Sequence, residues 1–367
     1  MTRTKLLLLL VMPLAGSHAL GQMPPPQRDQ DQTIKLKADL VTITAAVTDS
    51  NGVAIRSLKA NDFNVYEDGV IQKISHFASG EEPFTLMLLL DISGSTADEI
   101  VLIKRAAKNF LAELRRDDRV GVIVFSGEVE LIADLNDGRA KVEAAIDSAA
   151  TPEGGGGSRF GESTGTSFYD ALFLAVEESP LKTVEGRKAI ICVSDGVDSS
   201  SKIRYPEVAK LVEKSDASVY FLELNTEAVT LNRLLKPNSD PDYANLSQSQ
   251  VDRYFDAYDM DSLDRHRDRR VLPPELLTKI NRGLFELARR QEGELAQRAG
   301  GRVYPVRSLM DLAGVYKQVA DDLRAQYSIG YYSTNDARNG RWRTIRVEVR
   351  GKAKGASVRA RSGYWAK

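Results

Sequence analysis

The stretch Phe84-Thr-Leu-Met-Leu-Leu-Leu-Asp-Ile-Ser-Gly-Ser95 decides the fold of this 367-residue chain. Its almost continuous apolar run is typical of a strand that is covered on both faces. The run ends in Asp91, Ser93 and Ser95, which carry oxygen-bearing side chains, and in Gly94, which lets the backbone turn tightly. A buried strand that ends in such a turn predicts a parallel sheet with a polar site at the carboxyl ends of its strands.

Strand and helix patterns alternate beyond this stretch. Further strands are predicted near residues 120–125, 189–193, 218–224 and 302–306, and helices near 97–115, 139–149, 168–178, 205–214, 280–299 and 310–325. This order predicts an α/β fold, a doubly wound and mostly parallel sheet flanked by helices. A polar, mixed-charge insertion, residues 229–282, interrupts the alternation.

Strand patterns also lie on both sides of the α/β region. Residues 34–80 alternate apolar and polar side chains around turn signals such as Asp68-Gly69, and residues 326–367 return to strands. Each segment is near the lower size limit for independent folding. We therefore predict that the two segments pair into one small β-domain, with the α/β region, residues 84–325, inserted between its halves.

The first residues of the chain predict export. Residues 1–21 show the basic, apolar and small-residue order of a signal peptide, and residues 22–33 read as a proline-rich linker. No later segment approaches the roughly 20 apolar residues of a membrane-spanning helix. The mature chain is therefore expected to be secreted or periplasmic, with no transmembrane segment.

Composition argues against several classes of function. The 50 basic and 51 acidic residues nearly balance, so the chain has no strong overall electrostatic field. This balance argues against nucleic acid as a partner. Cys192 is the single cysteine of the chain, so an intrachain disulfide and a cysteine-based zinc cluster are excluded. Cys192 lies in an apolar strand pattern and is predicted to be a buried packing thiol.

Two more oxygen donors stand at the ends of other predicted elements. Thr166 lies where a loop enters a helix, and Asp195 follows the apolar strand near residues 189–193. Because the carboxyl ends of parallel strands meet at one edge of a sheet, these side chains can converge with those of the Asp91 turn on one ion. Hard divalent cations take oxygen ligands, and Mg²⁺ prefers about six of them.

The order Asp91-x-Ser93-x-Ser95, then Thr166, then Asp195 resembles the metal-ion-dependent adhesion site of von Willebrand factor type A domains. The resemblance covers about residues 84–325 apart from the insertion, and the flanking segments resemble exported bacterial proteins described as VWFA-related. In the family, hydroxyls bind the metal directly, aspartates bind it directly or through water, and a partner's carboxylate often completes the shell. The resemblance implies that these five residues bind a divalent cation, with Mg²⁺ expected first and Mn²⁺ or Ca²⁺ as alternatives.

Three further aspartates, Asp98, Asp170 and Asp198, are candidates for positions around these ligands. Asp98 also fits the first turn of a helix, where the helix dipole favours a negative charge. Ser95 taken alone is equally typical of a residue that caps the following helix.

The hypothesis that follows is a non-enzymatic binding module, exported from the cytoplasm, that engages an acidic side chain of another protein through a divalent cation. Two alternatives stay open. A metal-dependent hydrolase would activate a water at the ion, although no histidine or lysine falls in the three ligand segments. A structural envelope protein with a vestigial site would bind no ion.

Overall fold

The computed structural model describes residues 40–80, 82–149, 165–236, 246–258 and 272–366. The predicted signal peptide and linker lie outside these residues. Among the described residues, none of the helices combines the length and the apolar character that crossing a bilayer requires.

Fourteen strands occur in the described residues. They are β1 (Leu40–Thr48), β2 (Phe63–Glu67), β3 (Val70–Gln72), β4 (Ile74–Ala78), β5 (Phe84–Asp91), β6 (Arg119–Phe125), β7 (Val129–Ala133), β8 (Arg187–Ser194), β9 (Ser218–Leu224), β10 (Arg302–Val306), β11 (Tyr327–Tyr332), β12 (Trp342–Val349), β13 (Ser357–Ala360) and β14 (Gly363–Trp365). The α-helices of the same residues are α1 (Ile100–Glu113), α2 (Arg139–Ser148), α3 (Phe168–Phe173), α4 (Tyr205–Lys214), α5 (Glu227–Leu235), α6 (Gln248–Ala257), α7 (Pro274–Arg298) and α8 (Leu312–Arg324).

The central sheet has six strands in the order β10-β9-β8-β5-β6-β7. All neighbours are parallel except β6 and β7, which are antiparallel. The predicted doubly wound, mostly parallel sheet is therefore confirmed. The edge strand β7 was missed by the sequence analysis, since it is short and most of its residues are only partly buried.

Helices cover both faces of this sheet, which explains the continuous apolar run of β5. Leu86, Leu88 and Leu90 belong to the core shared with α1 and α8. Met87 and Leu89 point to the opposite face and belong to the core shared with α3, α4 and α7. Cys192 lies fully buried in the second core, as predicted.

Several predicted helices have different bounds. The pattern near 97–115 begins as a 3₁₀ helix, Gly94–Glu99, before α1, and the pattern near 168–178 becomes a π-helix at Leu174–Glu178 after α3. Helix α7 begins earlier than predicted, with Pro274 in its first turn, where proline's missing N–H costs nothing. The polar segment 229–282 also contributes an apolar cluster of its own.

The terminal strands form two antiparallel sheets, in the orders β13-β1-β11-β4 and β14-β12-β2-β3. Each sheet combines strands from both ends of the described chain. Their facing apolar side chains, including Ile43, Val65 and Ile329, share one core. The predicted association of the two terminal strand sets is thus confirmed.

Candidate metal site

The two candidate carboxylates stand side by side at the carboxyl edge of the central sheet. Asp91 is the last residue of β5, and Asp195 directly follows β8. These strands are adjacent and parallel, with Leu90 opposite Val193. The register therefore brings Asp91 and Asp195, which are 104 positions apart in the chain, to one place on the sheet edge.

Hydrogen bonds order the loop after β5 beside the residues after β8. The backbone N–H of Ser93 donates to Asp91 Oδ1 at 2.9 Å, and the Ser93 and Ser95 hydroxyl oxygens lie 3.1 Å apart. The Ser95 hydroxyl also lies near the Asp195 carboxyl, where it opposes the rise in the pKa of that group. Four of the five predicted ligands thus come together in one buried or half-buried cluster.

Ser95 does not act as a helix cap. The 3₁₀ helix starts at Gly94, its N-cap is Ser93, and no side chain makes a capping hydrogen bond there. Thr96 instead stabilises this turn, because its hydroxyl lies 3.1 Å from the carbonyl oxygens of both Asp91 and Ser93. The hydroxyls of Ser93 and Ser95 contact each other instead.

Thr166 reaches the same edge through backbone contacts. Its carbonyl accepts hydrogen bonds from the N–H groups of Ser199 and Ser200, at 2.9 and 3.2 Å, and its own N–H donates to Ser199 Oγ at 2.7 Å. No hydrogen bond joins its hydroxyl to the other four predicted ligands, all of which are described. Its placement is thus fixed by the loop that follows Asp195.

Asp170 and Asp198 hold that loop in place. Asp170 accepts from the N–H groups of Lys202 and Ile203, and Asp198 accepts from the N–H of Tyr169 at 3.1 Å while forming an ion pair with Arg253. Asp98 falls in the 3₁₀ helix after Ser93, and its side chain lies outside the described residues. Neither Asp170 nor Asp198 hydrogen-bonds a predicted ligand side chain within the described part of the chain.

Two hydroxyls that are not among the predicted ligands hold the carboxylates directly. Ser194 Oγ donates to Asp91 Oδ2 at 2.6 Å, and Thr226 Oγ1 donates to Asp195 Oδ2 at 2.5 Å. Both residues are buried. Thr226 follows the carboxyl end of β9, so its position at the third strand end of the same edge was a signal available in the sequence.

Burial makes the two carboxylates costly to ionise. The pKa of Asp91 is raised to about 7, first by loss of solvent and then by the charge of Asp195, against hydrogen bonds from Ser194 and Ser93 that lower it. Burial also raises the pKa of Asp195, partly offset by the hydrogen bond from Thr226. Within the described part of the chain, neither carboxylate has an ion-pair partner, so a bound cation would relieve their repulsion.

A third buried carboxyl lies beside the site. Glu292 of α7 is 1% exposed, and neither of its oxygens has a hydrogen-bond partner among the described residues. Gly196 has a φ of +71°, and a Cβ there would stand 2.7 Å from Glu292 Oε1, so both backbone conformation and space require glycine at this turn. Burial, followed by the charges of Glu223 and Asp195, raises the pKa of Glu292 well above its usual value.

The donor set fits a hard divalent ion. Two carboxylates and the hydroxyls of Ser93 and Ser95 supply oxygens only, and Mg²⁺ usually keeps several waters besides its protein ligands. The described residues contain no group of three or more His, Cys, Asp or Glu side chains arranged for a metal. A site here therefore depends on the serine and threonine hydroxyls as well as on the carboxylates.

A doubly wound sheet with this loop of serines and aspartates at its carboxyl edge defines the class of the domain, an α/β domain with a polar cluster at the strand ends. Residues 86–197 match the family model described as von Willebrand factor type A domain. The chain therefore contains a domain of this family. This match supports a role as a protein-interaction module.

Several solved structures resemble the chain in fold. An aerotolerance-related membrane protein from Bacteroides fragilis is 18% identical, with 65% of this chain and 98% of that chain covered and a TM-score of 0.39. BatB from Bacteroides thetaiotaomicron is 22% identical over the same shares, with a TM-score of 0.38. Proximal thread matrix protein 1 of the mussel byssus, with a zinc-occupied MIDAS motif, is 14% identical over 70% of this chain and 49% of that chain, with a TM-score of 0.43. No curated protein matches the chain.

Proposed function

We propose that this protein is an exported binding module that holds a divalent cation and engages an acidic side chain of a partner protein through it. Asp91, Ser93, Ser95, Thr166 and Asp195 are the proposed ligands, and Mg²⁺ is the expected ion. The proposal of export rests on the signal-peptide pattern of residues 1–21.

One observation carries the proposal: Asp91 and Asp195 are both buried at adjacent strand ends, with the Ser93 and Ser95 hydroxyls beside them, 3.1 Å from each other. Two neighbouring buried carboxylates repel each other, and within the described residues no lysine or arginine pairs with either. A divalent cation would supply the positive charge that this cluster requires.

Partner binding follows from charge and accessibility. A bound ion would lower the cost of burying a further carboxylate beside it. Gly94 is exposed, so the loop that carries the hydroxyls reaches the surface. The protein's own residues orient the site: Ser194 and Thr226 fix the two carboxylates, and Thr96 holds the loop in its turn.

Calorimetric titration of the chelator-treated protein with MgCl₂, MnCl₂ and CaCl₂ tests the ion. We expect saturable binding and a rise in unfolding temperature with ion concentration, because a ligand of the native state stabilises it by about 2.7 kcal/mol at 100 times its Kd. Asp91→Ala should lose both effects. The matched control is Asp147→Asn, which removes an aspartate charge from an exposed ion pair with Lys108. Equal ion binding by the Asp91 variant would contradict the proposal.

Capture of envelope proteins on the immobilised full chain tests the partner. Proteins retained in Mg²⁺ should be released by EDTA and should not be retained by Asp91→Ala. Retention that survives both EDTA and the substitution would show that binding does not pass through this site.

A further inference from the structure

Most exposed large apolar side chains in the described α/β region lie in segments that follow the carboxyl ends of central strands. In the described part of residues 84–325, the exposed large apolar side chains are Val101, Val229, Leu235, Tyr258 and Met310. All of these except Tyr258 lie in the segments that follow β5, β9 and β10. We call Val101, Val229, Leu235 and Met310 the apolar rim.

The segments after β5 and β10 supply one side of the apolar rim. We call residues 91–99 the metal loop. Val101 stands in the first turn of α1, directly after the 3₁₀ helix of this loop, and is 72% exposed. Met310 is 76% exposed and lies in the 3₁₀ helix Leu309–Asp311, which contacts α1. Both side chains are therefore presented to solvent, Val101 at the start of α1 and Met310 on an element packed against α1.

Helix α5 supplies the other side. Arg233 of this helix donates a hydrogen bond to the carbonyl oxygen of Gly94, so α5 lies against the metal loop. Val229 and Leu235 on the same helix are 36% and 42% exposed, and no residue of α5 is fully buried. The metal loop thus runs between two elements that both expose apolar side chains.

Exposed large apolar side chains that gather around a polar site mark interaction surfaces, whereas single scattered ones carry no meaning. We propose that the partner segment carries large apolar side chains beside its acidic residue, and that these side chains pack on the apolar rim. This inference rests on the proposed function, since the carboxylate anchors the segment that the rim would bind.

The geometry of the metal loop gives an expected spacing. Val101 lies six residues beyond Ser95, and a rise of about 2 Å per residue in the 3₁₀ helix and about 1.5 Å at the start of α1 separates them by about 11 Å along the axis. An extended peptide covers about 3.3 Å per residue. An apolar side chain about three to four positions from the acidic residue is therefore the expected partner pattern.

Selection of short displayed peptides on the immobilised full chain tests this pattern. Peptides retained in MgCl₂ and eluted with EDTA should be enriched in Asp or Glu with Leu, Ile, Phe or Met about three to four positions away. Enrichment of acidic residues among polar neighbours would overturn the inference. Retention of no peptide by a chain that binds Mg²⁺ in calorimetry would overturn the inference together with the proposed engagement of a carboxylate.

Rim variants separate this inference from the proposed function. Val101→Ser and Met310→Ser should each weaken binding of the selected peptides by about tenfold, the lower end of what burial of one apolar side chain contributes, and leave Mg²⁺ affinity unchanged. Val53→Ser is the matched control, because Val53 is 61% exposed in the terminal β-sheet region. If peptide binding is lost in Asp91→Ala but unchanged in both rim variants, the rim inference is wrong and the proposed function stands.

Discussion

Asp195 and Asp198 show how two aspartates three positions apart take different roles. Asp195 faces Asp91 and receives hydroxyl hydrogen bonds, whereas Asp198 accepts backbone N–H bonds and pairs with Arg253 of α6. The Asp198 carboxylate is therefore already paired with a positive charge of the protein, whereas Asp195 has no ion-pair partner among the described residues.

Asparagine substitutions separate these two roles. Asp195→Asn should abolish measurable Mg²⁺ binding in calorimetry, because a buried charge and an oxygen ligand are lost together. Asp198→Asn should lower the free energy of unfolding by about 3 kcal/mol, since it breaks a buried ion pair, while metal binding is retained at saturating Mg²⁺. Loss of stability with Asp195→Asn and of metal binding with Asp198→Asn would reverse the assignment.

Glu292 gives a stability effect that depends on pH. Its folded-state pKa lies well above its ordinary value of 4.5, so above pH 4.5 the unfolded chain releases a proton that the native protein keeps. Stability contributed by the protonated carboxyl is complete below pH 4.5 and is lost as the pH rises toward the folded pKa. The substitution Glu292→Gln keeps the size and shape of the side chain but removes the carboxyl group that titrates.

In EDTA, the free energy of unfolding of Glu292→Gln relative to the native chain should therefore increase with pH above 4.5. Urea unfolding of both proteins at a series of pH values above 4.5 measures this difference in free energy. A difference that stays constant with pH would mean that Glu292 does not hold its proton in the folded protein.

At the scale of an element, α5 shows how a neighbouring helix supports the site. Thr226 is the N-cap of this helix, but its hydroxyl bonds the Asp195 carboxylate and caps nothing. One turn along, the Thr230 hydroxyl is buried and has no hydrogen-bond partner among the described residues. Substitution of Thr226 therefore tests the contact with Asp195, and the same substitution of Thr230 is its matched control.

Thr226→Val should weaken Mg²⁺ binding by about 10- to 100-fold, the usual loss when a group that orients a metal ligand is removed. Thr230→Val should leave metal affinity unchanged and stability equal or slightly higher, since it removes an unpaired buried hydroxyl. Calorimetry and thermal unfolding of both variants measure these effects. Equal metal affinities in the two variants would show that Thr226 does not orient Asp195.

Across the whole molecule, a buried network joins strands from both ends of the chain. Glu67 of β2 accepts hydrogen bonds from the hydroxyls of Tyr331 and Tyr364 at 2.8 and 2.9 Å, and from Arg343 Nη1 of β12 at 3.0 Å. Both charged partners are almost fully buried. The network therefore depends on the two terminal strand sets meeting.

Glu67→Ala should cost about 3–5 kcal/mol of unfolding free energy, because it leaves the Arg343 guanidinium buried without its counter-charge. The matched control is Glu348→Ala, which breaks an exposed ion pair with Arg346 on the same strand and should cost about 0–1 kcal/mol. Chemical denaturation measures both. Similar losses in the two variants would mean that the buried network contributes no more than a surface pair.

Much of the fold could be predicted from local patterns. The apolar run of β5 predicts a strand buried on both faces, and the alternation after it predicts the parallel sheet. The short edge strand β7 and the 3₁₀ start of the helix after Ser93 could not be predicted, because tertiary contacts rather than a strong pattern stabilise them. For the candidate site, residue types at strand ends indicated Asp91 and Asp195 but gave no sign of Glu292, which lies within a long helix.

The sequence by itself determined the α/β alternation and which oxygen-bearing residues end its strands, since both follow from periodicity and side-chain chemistry along the chain. Only the tertiary structure decided that the Ser95 hydroxyl contacts that of Ser93 instead of capping a helix, and that Ser194 and Thr226 hold the two carboxylates. It also exposed Val101 at the start of α1 and Met310 on a 3₁₀ helix that contacts α1. Strand order and burial cause these differences, because they bring together residues that no local pattern connects.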